Sequence, residues 1–164
     1  MLSVNDFFSG CGGLSQGFKE AGFKIQFAVD KEEAFLKTFS HNFKDSQTKN
    51  LDLGDNNILK EIPKSDIIIA GPPCQGFSLT GPRNIDDPRN KLYLSVFKTL
   101  KLTNPKAFVV ENVRGLKTMW DGNVFKEIIK KFESAGYIVT ESLLNSADYG
   151  VPQIRHRVFI VGIK

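Results

Sequence analysis

One stretch of sequence decides the fold, Asp66-Ile67-Ile68-Ile69-Ala70-Gly71-Pro72-Pro73-Cys74-Gln75-Gly76-Phe77-Ser78. Residues 67–70 are apolar without alternation, which predicts a short strand that is buried on both faces of a sheet. Pro72 and Pro73 cannot donate backbone hydrogen bonds to a sheet, so the strand ends before them. Cys74 therefore lies in a loop at the carboxyl end of a strand, the edge at which open α/β sheets bind their ligands.

Cys74 has two interpretations at this position. A cysteine is most often a small apolar residue of the interior. It can also be a nucleophile, which requires a positioned acid or base and electropositive surroundings. The rest of the chain has to decide between these two roles.

The composition is that of one globular domain. The chain has 164 residues, of which 41% are hydrophobic and 24% are charged, and a chain of this length buries a sizeable core. It contains no apolar run of about 18 residues and no basic, then apolar, N-terminal segment, so neither a membrane span nor a secretory signal is predicted. Its two cysteines, Cys11 and Cys74, do not form a disulfide framework, which favours a reduced, intracellular protein.

The charge is distributed unevenly along the chain. The formal net charge is +4, but residues 1–80 hold 8 Lys and Arg against 10 Asp and Glu, whereas residues 81–164 hold 14 against 8. A basic second half is compatible with a polyanionic partner, and many soluble domains without such a partner show the same bias.

A candidate nucleoside site lies near the N-terminus. A strand is predicted over Ser3–Phe8, a glycine-rich turn over residues 9–13 and a helix from Leu14 to Ala21. This layout lets a ligand approach the backbone closely and directs helix N–H groups towards it. A second strand, Phe23–Val29, ends in Asp30, whose carboxylate can accept hydrogen bonds from both ribose hydroxyls.

The glycine pattern differs from that of dinucleotide sites. Gly10, Gly12 and Gly13 do not form G-x-G-x-x-G, because the third glycine is missing. The pattern therefore favours a single nucleoside over a dinucleotide, and a tight turn without any ligand is the alternative.

The remaining segments alternate between helices and strands, which predicts an α/β fold with an open, mostly parallel, doubly wound sheet and helices on both faces. Helical periodicity predicts that Ala34, Phe35, Thr38 and Phe39 form one apolar helix face. Residues 45–57 are polar and predicted as a loop. The other predicted elements are a short helix over 58–62, a loop over 79–90 that closes over the site, helices over 91–102 and 123–135, and strands over 107–110 and 137–144.

Two further groups of polar residues are candidates for chemistry. Glu111-Asn112 follows an apolar strand, so Glu111 shares the sheet edge with Cys74. Gln153, Arg155 and Arg157 stand at alternate positions, which on a strand places them on one face, suited to phosphates or base edges. A solvated strand edge is the alternative for these three. No histidine has a partner at the spacing of metal ligands, so no metal site is predicted.

Taken together, these segments resemble the cytosine-C5 DNA methyltransferases. The resemblance rests on five motifs in the order of that family: residues 6–13 (DFFSGCGG), 71–78 (GPPCQGFS), 87–90 (DPRN) with Leu92, 111–113 (ENV) and 153–157 (QIRHR). Together they span the chain from end to end. The resemblance implies the Rossmann-like fold of the class I S-adenosylmethionine-dependent methyltransferases.

The resemblance also implies a mechanism. The Cys74 thiolate adds to C6 of a cytosine that has been flipped out of DNA, which makes C5 nucleophilic towards the methyl group of S-adenosylmethionine. Glu111 hydrogen-bonds N3 and the exocyclic amine of the base, while Arg155 and Arg157 hold the nucleotide. Further substrate-binding residues are implied at Gln75, Ser78, Asn112 and Gln153.

For the cofactor, the resemblance implies that Asp30 binds the ribose of S-adenosylmethionine. Lys31 stands where the family often has a bulky apolar residue against adenine, and the adenine amine is accepted by either Asn50 or Asp52. The other residues implied in this pocket are Phe8, Gly10, Gly12, Gly13, Pro72 and Leu92.

The family continues beyond the Gln-x-Arg-x-Arg motif into a target-recognition region and a last helix, whereas this sequence ends at Lys164. We therefore expect residues 1–164 to be one catalytic and cofactor-binding domain without a target-recognition domain. A split subunit, a fragment of a longer protein and an inactive remnant are the three explanations. The first two require a second chain or a further C-terminal segment that supplies recognition.

The expected enzyme is a DNA (cytosine-5-)-methyltransferase of a restriction-modification system that acts on double-stranded DNA in the prokaryotic cytosol or nucleoid. A tRNA cytosine-C5 methyltransferase and a non-catalytic subunit that binds S-adenosylmethionine or DNA are the alternatives. The Pro-Pro-Cys loop and the missing third glycine disfavour a nicotinamide-dependent enzyme.

Overall fold

The computed structural model describes residues 1–73 and 91–164. Over these residues it contains one mixed sheet of seven strands. The strands are β1 (Ser3–Phe7), β2 (Lys24–Asp30), β3 (Gln47–Asn50), β4 (Ile67–Ala70), β5 (Ala107–Val113), β6 (Ile138–Asn145) and β7 (His156–Ile163). Their order in the sheet is β3-β2-β1-β4-β5-β7-β6. The pairs from β3 to β5 are parallel, and β7 runs antiparallel to both of its neighbours.

Four α-helices flank the sheet in the described part of the chain: α1 (Gly13–Glu20), α2 (Glu33–Asn42), α3 (Tyr93–Thr103) and α4 (Asn123–Glu133). Short 3₁₀ turns lie at Asn56–Glu61, Arg114–Lys117, Met119–Gly122 and Ser146–Tyr149. None of the described helices is long and apolar enough to cross a membrane.

The helices cover both faces of the sheet, as the sequence predicts. On one face, α3 and α4 pack against strand residues such as Ile68 and Phe108. On the other face, α1 and α2 cover Val4 and Ile69, with Phe39 fully buried between the helix and the sheet. Each fully buried side chain of this kind contributes about 1.5–3 kcal/mol to folding. The doubly wound α/β architecture is therefore confirmed.

Strand β4 is the centre of this arrangement. All four of its residues are buried, and it pairs with β1 on one side and β5 on the other. The N–H of Gly71 still donates to the carbonyl of Phe7 at 3.1 Å, after which Pro72 ends the hydrogen-bonding pattern. The prediction of a doubly buried strand that stops at the two prolines is confirmed.

Strand β3 corrects the predicted loop over residues 45–57. Its four residues are polar, and it forms the edge of the sheet, pairing only with β2 among the described strands. An edge strand can be polar on both faces because one side of it meets water.

The predicted apolar face of α2 was also wrong. Leu36 and Phe39 are buried, whereas Ala34 and Thr38 are exposed and Phe35 retains 46% of its surface. The buried stripe of α2 therefore runs through Leu36 and Phe39 to Phe43, the residue after the helix.

A third correction concerns the last strand. Strand β7 begins at His156, so Gln153 and Arg155 precede the strand and do not share one of its faces with Arg157. Residues 146–149 form a 3₁₀ turn, and the loop after it delivers the chain into β7 only at His156.

Candidate active site

The carboxyl ends of the parallel strands bring the candidate site residues to one edge of the sheet. Phe8 and Gly10 follow β1, Asp30 ends β2, Gly71 follows β4, and Glu111 lies in the second half of β5. Because the sheet order is β2-β1-β4-β5, these groups follow one another along the edge in the order Asp30, Phe8, Gly71 and Glu111.

The turn after β1 has an unusual backbone. Phe8, Gly10 and Gly12 all have positive φ angles, of 56°, 52° and 94°. A positive φ is uncommon for a phenylalanine and marks a strained position, of the kind that clusters at functional sites. The N–H of Ser9 donates to the carbonyl of Val29 at 3.2 Å, which holds the turn against the end of β2.

Asp30 organises two turns through its carboxylate. Its Oδ2 accepts a hydrogen bond from the N–H of Gly10 at 2.9 Å, and its Oδ1 accepts one from the N–H of Glu32 at 2.9 Å. A carboxylate oxygen has two lone pairs, so both oxygens can still accept from a ligand. Asp30 therefore fixes the glycine turn and presents acceptor capacity beside it.

A cavity of about 800 Å³ lies at this edge, within the size range of small-molecule sites. Its wall is formed by the ends of β1, β2 and β4, the segment after β3 and the beginning of α3. The lining residues are Phe8, Gly10, Asp30, Lys31, Glu32, Phe35, Leu51, Asp52, Leu53, Gly54, Gly71, Pro73, Lys91, Leu92, Leu94, Ser95 and Lys98.

The cavity brings together six of the ten residues predicted for the cofactor: Phe8, Gly10, Asp30, Lys31, Asp52 and Leu92. Its described wall does not include the other four, which are Gly12, Gly13, Asn50 and Pro72.

Two of these four residues, Gly12 and Asn50, contact groups outside the cavity wall or brace the backbone beside it. A Cβ on Gly12 would collide with the rings of Phe43 and Phe39, so this glycine is required by packing under α2. The Asn50 Nδ2 donates to the carbonyls of Asp30 at 3.2 Å and Lys31 at 2.8 Å. The wall of the cavity on this side thus presents Asp52, while the amide of Asn50 braces the β2–α2 turn.

The sequence reasoning missed several residues of the wall. Phe35 lines the cavity although the sequence predicts it on the apolar face of α2, and Leu51 and Leu53 line it although they fall within the predicted polar loop over residues 45–57. The available sequence signal was an aspartate with one leucine on each side, directly after a polar edge strand. Ser95 and Lys98 lie one turn apart on α3 and gave no such signal.

Glu111 and Arg157 form an ion pair at the β5–β7 end of the site. The Arg157 Nε lies 3.0 Å from the Glu111 Oε1, and each side chain is 24% exposed. Burial raises the pKa of Glu111 above its ordinary value, although the charges of Arg157 and then Arg155 and the hydrogen bond from Arg157 oppose this rise. The Glu111 carboxyl group is thus partly buried, and its pKa reflects two opposing effects: the loss of solvent and the charges of two arginines.

Glu111 also faces the start of the Pro-Pro-Cys segment. A Cβ placed on Gly71 would lie 3.9 Å from the Glu111 Oε2 and 4.0 Å from the carbonyl oxygen of Phe8. The same glycine lines the cavity. The Glu111 carboxylate and the cavity therefore meet at Gly71.

Asn112 contacts the same segment from the other face of β5. Its side chain is buried, and its Nδ2 donates to the carbonyl of Pro72 at 3.1 Å. The family resemblance implies a substrate role for Asn112, and the structure shows its side chain hydrogen-bonded to the backbone of Pro72, two residues before Cys74. Cys74, Gln75, Ser78 and the predicted loop over residues 79–90, including motif residues 87–90, lie outside the described residues.

Arg155 and Gln153 are exposed in the segment before β7. The N–H of Arg155 donates to the Asn145 Oδ1 at 3.1 Å, which ties this segment to the end of β6. The charge of Arg155 stabilises the ionised form of Glu111, so the arginine lies on the same side of the sheet edge as Glu111.

A second carboxylate is buried behind the glycine turn. Asp6 is 1% exposed and accepts a hydrogen bond from the Ser15 Oγ at 2.6 Å, which joins β1 to α1. Burial, and to a lesser extent the nearby charge of Asp30, raise the pKa of Asp6 to about 7, although the Ser15 hydrogen bonds oppose the rise.

These features define a class of protein. A seven-stranded sheet of this order and direction, with a glycine turn after β1 and an acid at the end of β2, is a Rossmann-like methyltransferase fold. The family model of the C-5 cytosine-specific DNA methylases matches residues 2–164. The chain belongs to this family.

Individual relatives agree with the family assignment. The chain is 44% identical to the Type II methyltransferase M1.HphI of Haemophilus parahaemolyticus over 99% of its own length and 46% of the relative's. It is 46% identical to the Type II methyltransferase M.FnuDI of Fusobacterium nucleatum over 99% of its length and 47% of the relative's. The chain thus spans about half the length of these curated relatives.

Among solved structures, the chain is similar to a candidate DNA modification methyltransferase that is encoded within a prophage (E. coli). The TM-score is 0.84 at 34% identity, and the match covers 100% of this chain and 47% of the other. The similarity in fold therefore extends through the whole described sheet.

Proposed function

We propose that residues 1–164 form the catalytic and cofactor-binding domain of an enzyme that transfers a methyl group from S-adenosylmethionine to C5 of a cytosine in DNA. The observation that carries the proposal is the meeting at Gly71 of two sites: the cavity with Asp30 in its wall, and the Glu111–Arg157 ion pair. A methyl donor and a base bound on either side of this glycine would have their reacting groups next to each other.

The cavity fits S-adenosylmethionine by the chemistry of its wall. Asp30 offers carboxylate oxygens to the ribose hydroxyls, and Asp52 offers an acceptor for the exocyclic amine of adenine. We assign the amine to Asp52 over Asn50 because Asp52 lines the cavity, whereas the Asn50 amide donates to two backbone carbonyls. Phe8 and Leu92 supply apolar wall, and Gly12 and Gly13 shape the turn. Bound there, S-adenosylmethionine supplies an electrophilic methyl group.

The residues of the chain supply the activation of cytosine. The Cys74 thiolate forms a bond to C6, and electron density moves to C5, which becomes the nucleophile. Glu111 in its protonated form donates a hydrogen bond to N3 and so offsets the charge that develops on the ring. Its raised pKa favours that form. Transfer of the methyl group to C5 would leave S-adenosylhomocysteine. Loss of the C5 proton to water then supplies the electron pair that expels the Cys74 thiolate from C6 and restores the aromatic base.

Several more residues have supporting roles in this proposal. Arg157 holds the Glu111 carboxyl and contacts the flipped nucleotide, and Arg155 and Gln153 approach its phosphate or base edge from the segment before β7. Asn112 sets the backbone of Pro72, which positions Cys74 relative to the base. Gln75 and Ser78 follow in the same segment.

DNA is favoured over tRNA as the substrate because the matching family is described as DNA methylases. The relatives M1.HphI and M.FnuDI are Type II methyltransferases, which supports a role in a restriction-modification system of the prokaryotic cytosol. We further propose that recognition of the target sequence is supplied by another segment or a second chain.

The test is to measure S-adenosylmethionine binding by calorimetry for the wild type, Asp30→Ala and Glu33→Gln. Glu33 is a matched exposed acid of α2, paired with Lys37 at 3.1 Å. Asp30→Ala should weaken binding about ten-fold or more, because hydrogen bonds to a charged group are worth about 1.5–3 kcal/mol. Glu33→Gln should bind like the wild type. Equal affinities for all three proteins would contradict the assignment of the ribose to Asp30.

A further inference from the structure

Phe35 is the large apolar side chain of α2 that faces away from the core. It retains 46% of its surface, while Leu36 and Phe39 on the same helix retain 6% and 0%. Phe35 lies in the first turn of α2 and lines the cavity. A phenyl ring on a cavity wall offers a flat apolar surface, which suits a flat aromatic ligand group.

The position of Phe35 assigns it to one end of the cavity. It comes five residues after Asp30, which ends β2. The N–H of Leu51 donates to the carbonyl of Asp30 at 3.1 Å, so the segments after β2 and β3 lie side by side. The wall at this end therefore contains Phe35, Leu51, Asp52 and Leu53. The other end, at Phe8 and Gly71, adjoins Glu111.

The residue at the customary adenine position does not provide such a surface. Lys31 directly follows Asp30 and is exposed, and its side chain is a flexible aliphatic stem that ends in a hydrated ammonium group. Two leucines, the Asp52 carboxylate and the Phe35 ring line this end of the cavity beside Glu32, and they match the chemistry of adenine: two apolar faces and one donor amine.

We propose that Phe35 positions the cofactor by packing its ring against the adenine of S-adenosylmethionine, in the role that Lys31 leaves unfilled. The proposal rests on the proposed function, because it assigns a contact within the same cofactor site. It extends that function by naming an adenine-contacting residue on α2, four positions beyond the one that the family pattern indicates.

The test compares the wild type with Phe35→Ala, Phe35→Leu and a matched control, Leu102→Ala. Leu102 is a 53% exposed apolar residue of α3 outside the cavity wall. Affinities for S-adenosylmethionine, S-adenosylhomocysteine and adenosine are measured by calorimetry. Stacking of a base on an aromatic ring contributes substantially to binding affinity, so Phe35→Ala should lower the affinity for all three ligands by about 10-fold or more. Phe35→Leu should lower these affinities less, and Leu102→Ala should bind the three ligands like the wild type.

Adenosine distinguishes a contact with the nucleoside from one with the methionine moiety. Affinities of Phe35→Ala within about two-fold of the wild type would overturn the proposal, and so would a loss confined to the two ligands that carry an amino-acid moiety. If Phe35→Ala fails to fold, the contact with adenine is tested with Phe35→Trp. Its added indole emission should change on binding adenosine, and an unchanged emission would count against the contact. Failure of the wild type to bind any of these ligands would instead overturn the proposed function.

Discussion

The Glu111 carboxylate and the Arg157 guanidinium lie 3.0 Å apart across the antiparallel pair of β5 and β7. The pair joins the acid that faces Gly71 to the beginning of the last strand. Because burial raises the pKa of Glu111 and Arg157 opposes this rise, the arginine controls how readily the carboxyl group keeps its proton.

Removal of the Arg157 charge should therefore raise the pKa of Glu111 further. We expect Arg157→Met to show the larger increase and Arg155→Met the smaller one, because the charge of Arg157 lowers the pKa of Glu111 more than that of Arg155 does and Arg157 also donates a hydrogen bond. The measurement is a carbon-13 NMR titration of the side-chain carboxyl groups, with the Glu111 signal assigned from Glu111→Gln. A pKa in Arg157→Met that is unchanged or lower would show that the pair is not coupled as described.

Asn112 should be a positioning residue for the segment that leads to Cys74. Asn112→Ala removes the donor to the carbonyl of Pro72, and we expect a loss of about 1–3 kcal/mol in stability because a buried acceptor is left unpaired. The methyl-transfer rate should fall while the affinity for S-adenosylmethionine stays within two-fold. Asn42→Ala, at an exposed end of α2, is the control. A parallel loss of cofactor affinity in Asn112→Ala would argue for a general structural role.

The adjacent glycines Gly12 and Gly13 should respond in opposite ways to alanine. Gly12 has φ 94°, and a Cβ there would meet the rings of Phe43 and Phe39, so Gly12→Ala should destabilise the fold by about 2–4 kcal/mol. Gly13 begins α1 with open space around it, and Gly13→Ala should be neutral or stabilise by up to about 1 kcal/mol. Chemical denaturation measures both, and equal effects would refute the packing role of Gly12.

The buried Asp6 should make stability depend on pH. Its pKa is raised from 3.8 to about 7, so the folded state binds the proton more tightly than the unfolded state does. This contribution to stability is fully present below pH 3.8 and is lost as the pH rises to about 7, amounting to at most about 4 kcal/mol. Asp6→Asn, which keeps an acceptor for Ser15, should lack this decline. Denaturation at several pH values tests it, and parallel profiles for the two proteins would contradict it.

The parts of the fold that the sequence predicts are those fixed by local chemistry. An apolar run and two prolines define β4 and its end, because neither feature depends on distant residues. The polar strand β3 could not be predicted, since its stability comes from pairing with β2 and from its place at the sheet edge.

The site shows the same division. Motif residues such as Asp30 and Glu111 were predicted, because acids at the carboxyl ends of apolar strands converge in any parallel sheet. The predicted orientation of Phe35 was wrong. The three large apolar side chains of α2, Phe35, Leu36 and Phe39, fit more than one helical face, and only the packing of Leu36 and Phe39 decides which face is buried. The alternation of Gln153, Arg155 and Arg157 suggested a strand, whereas β7 starts at His156.

The measurement that tests the central claim most directly is methyl transfer from labelled S-adenosylmethionine to mixed-sequence DNA, with analysis of the methylated nucleosides. The chain is assayed as the wild type, Cys74→Ala and Glu111→Gln. We predict that the wild type forms 5-methylcytosine and that both variants lose this activity by several orders of magnitude while they still bind S-adenosylmethionine. Formation of 5-methylcytosine by Cys74→Ala at the wild-type rate, or label at a position other than C5, would contradict the proposed mechanism.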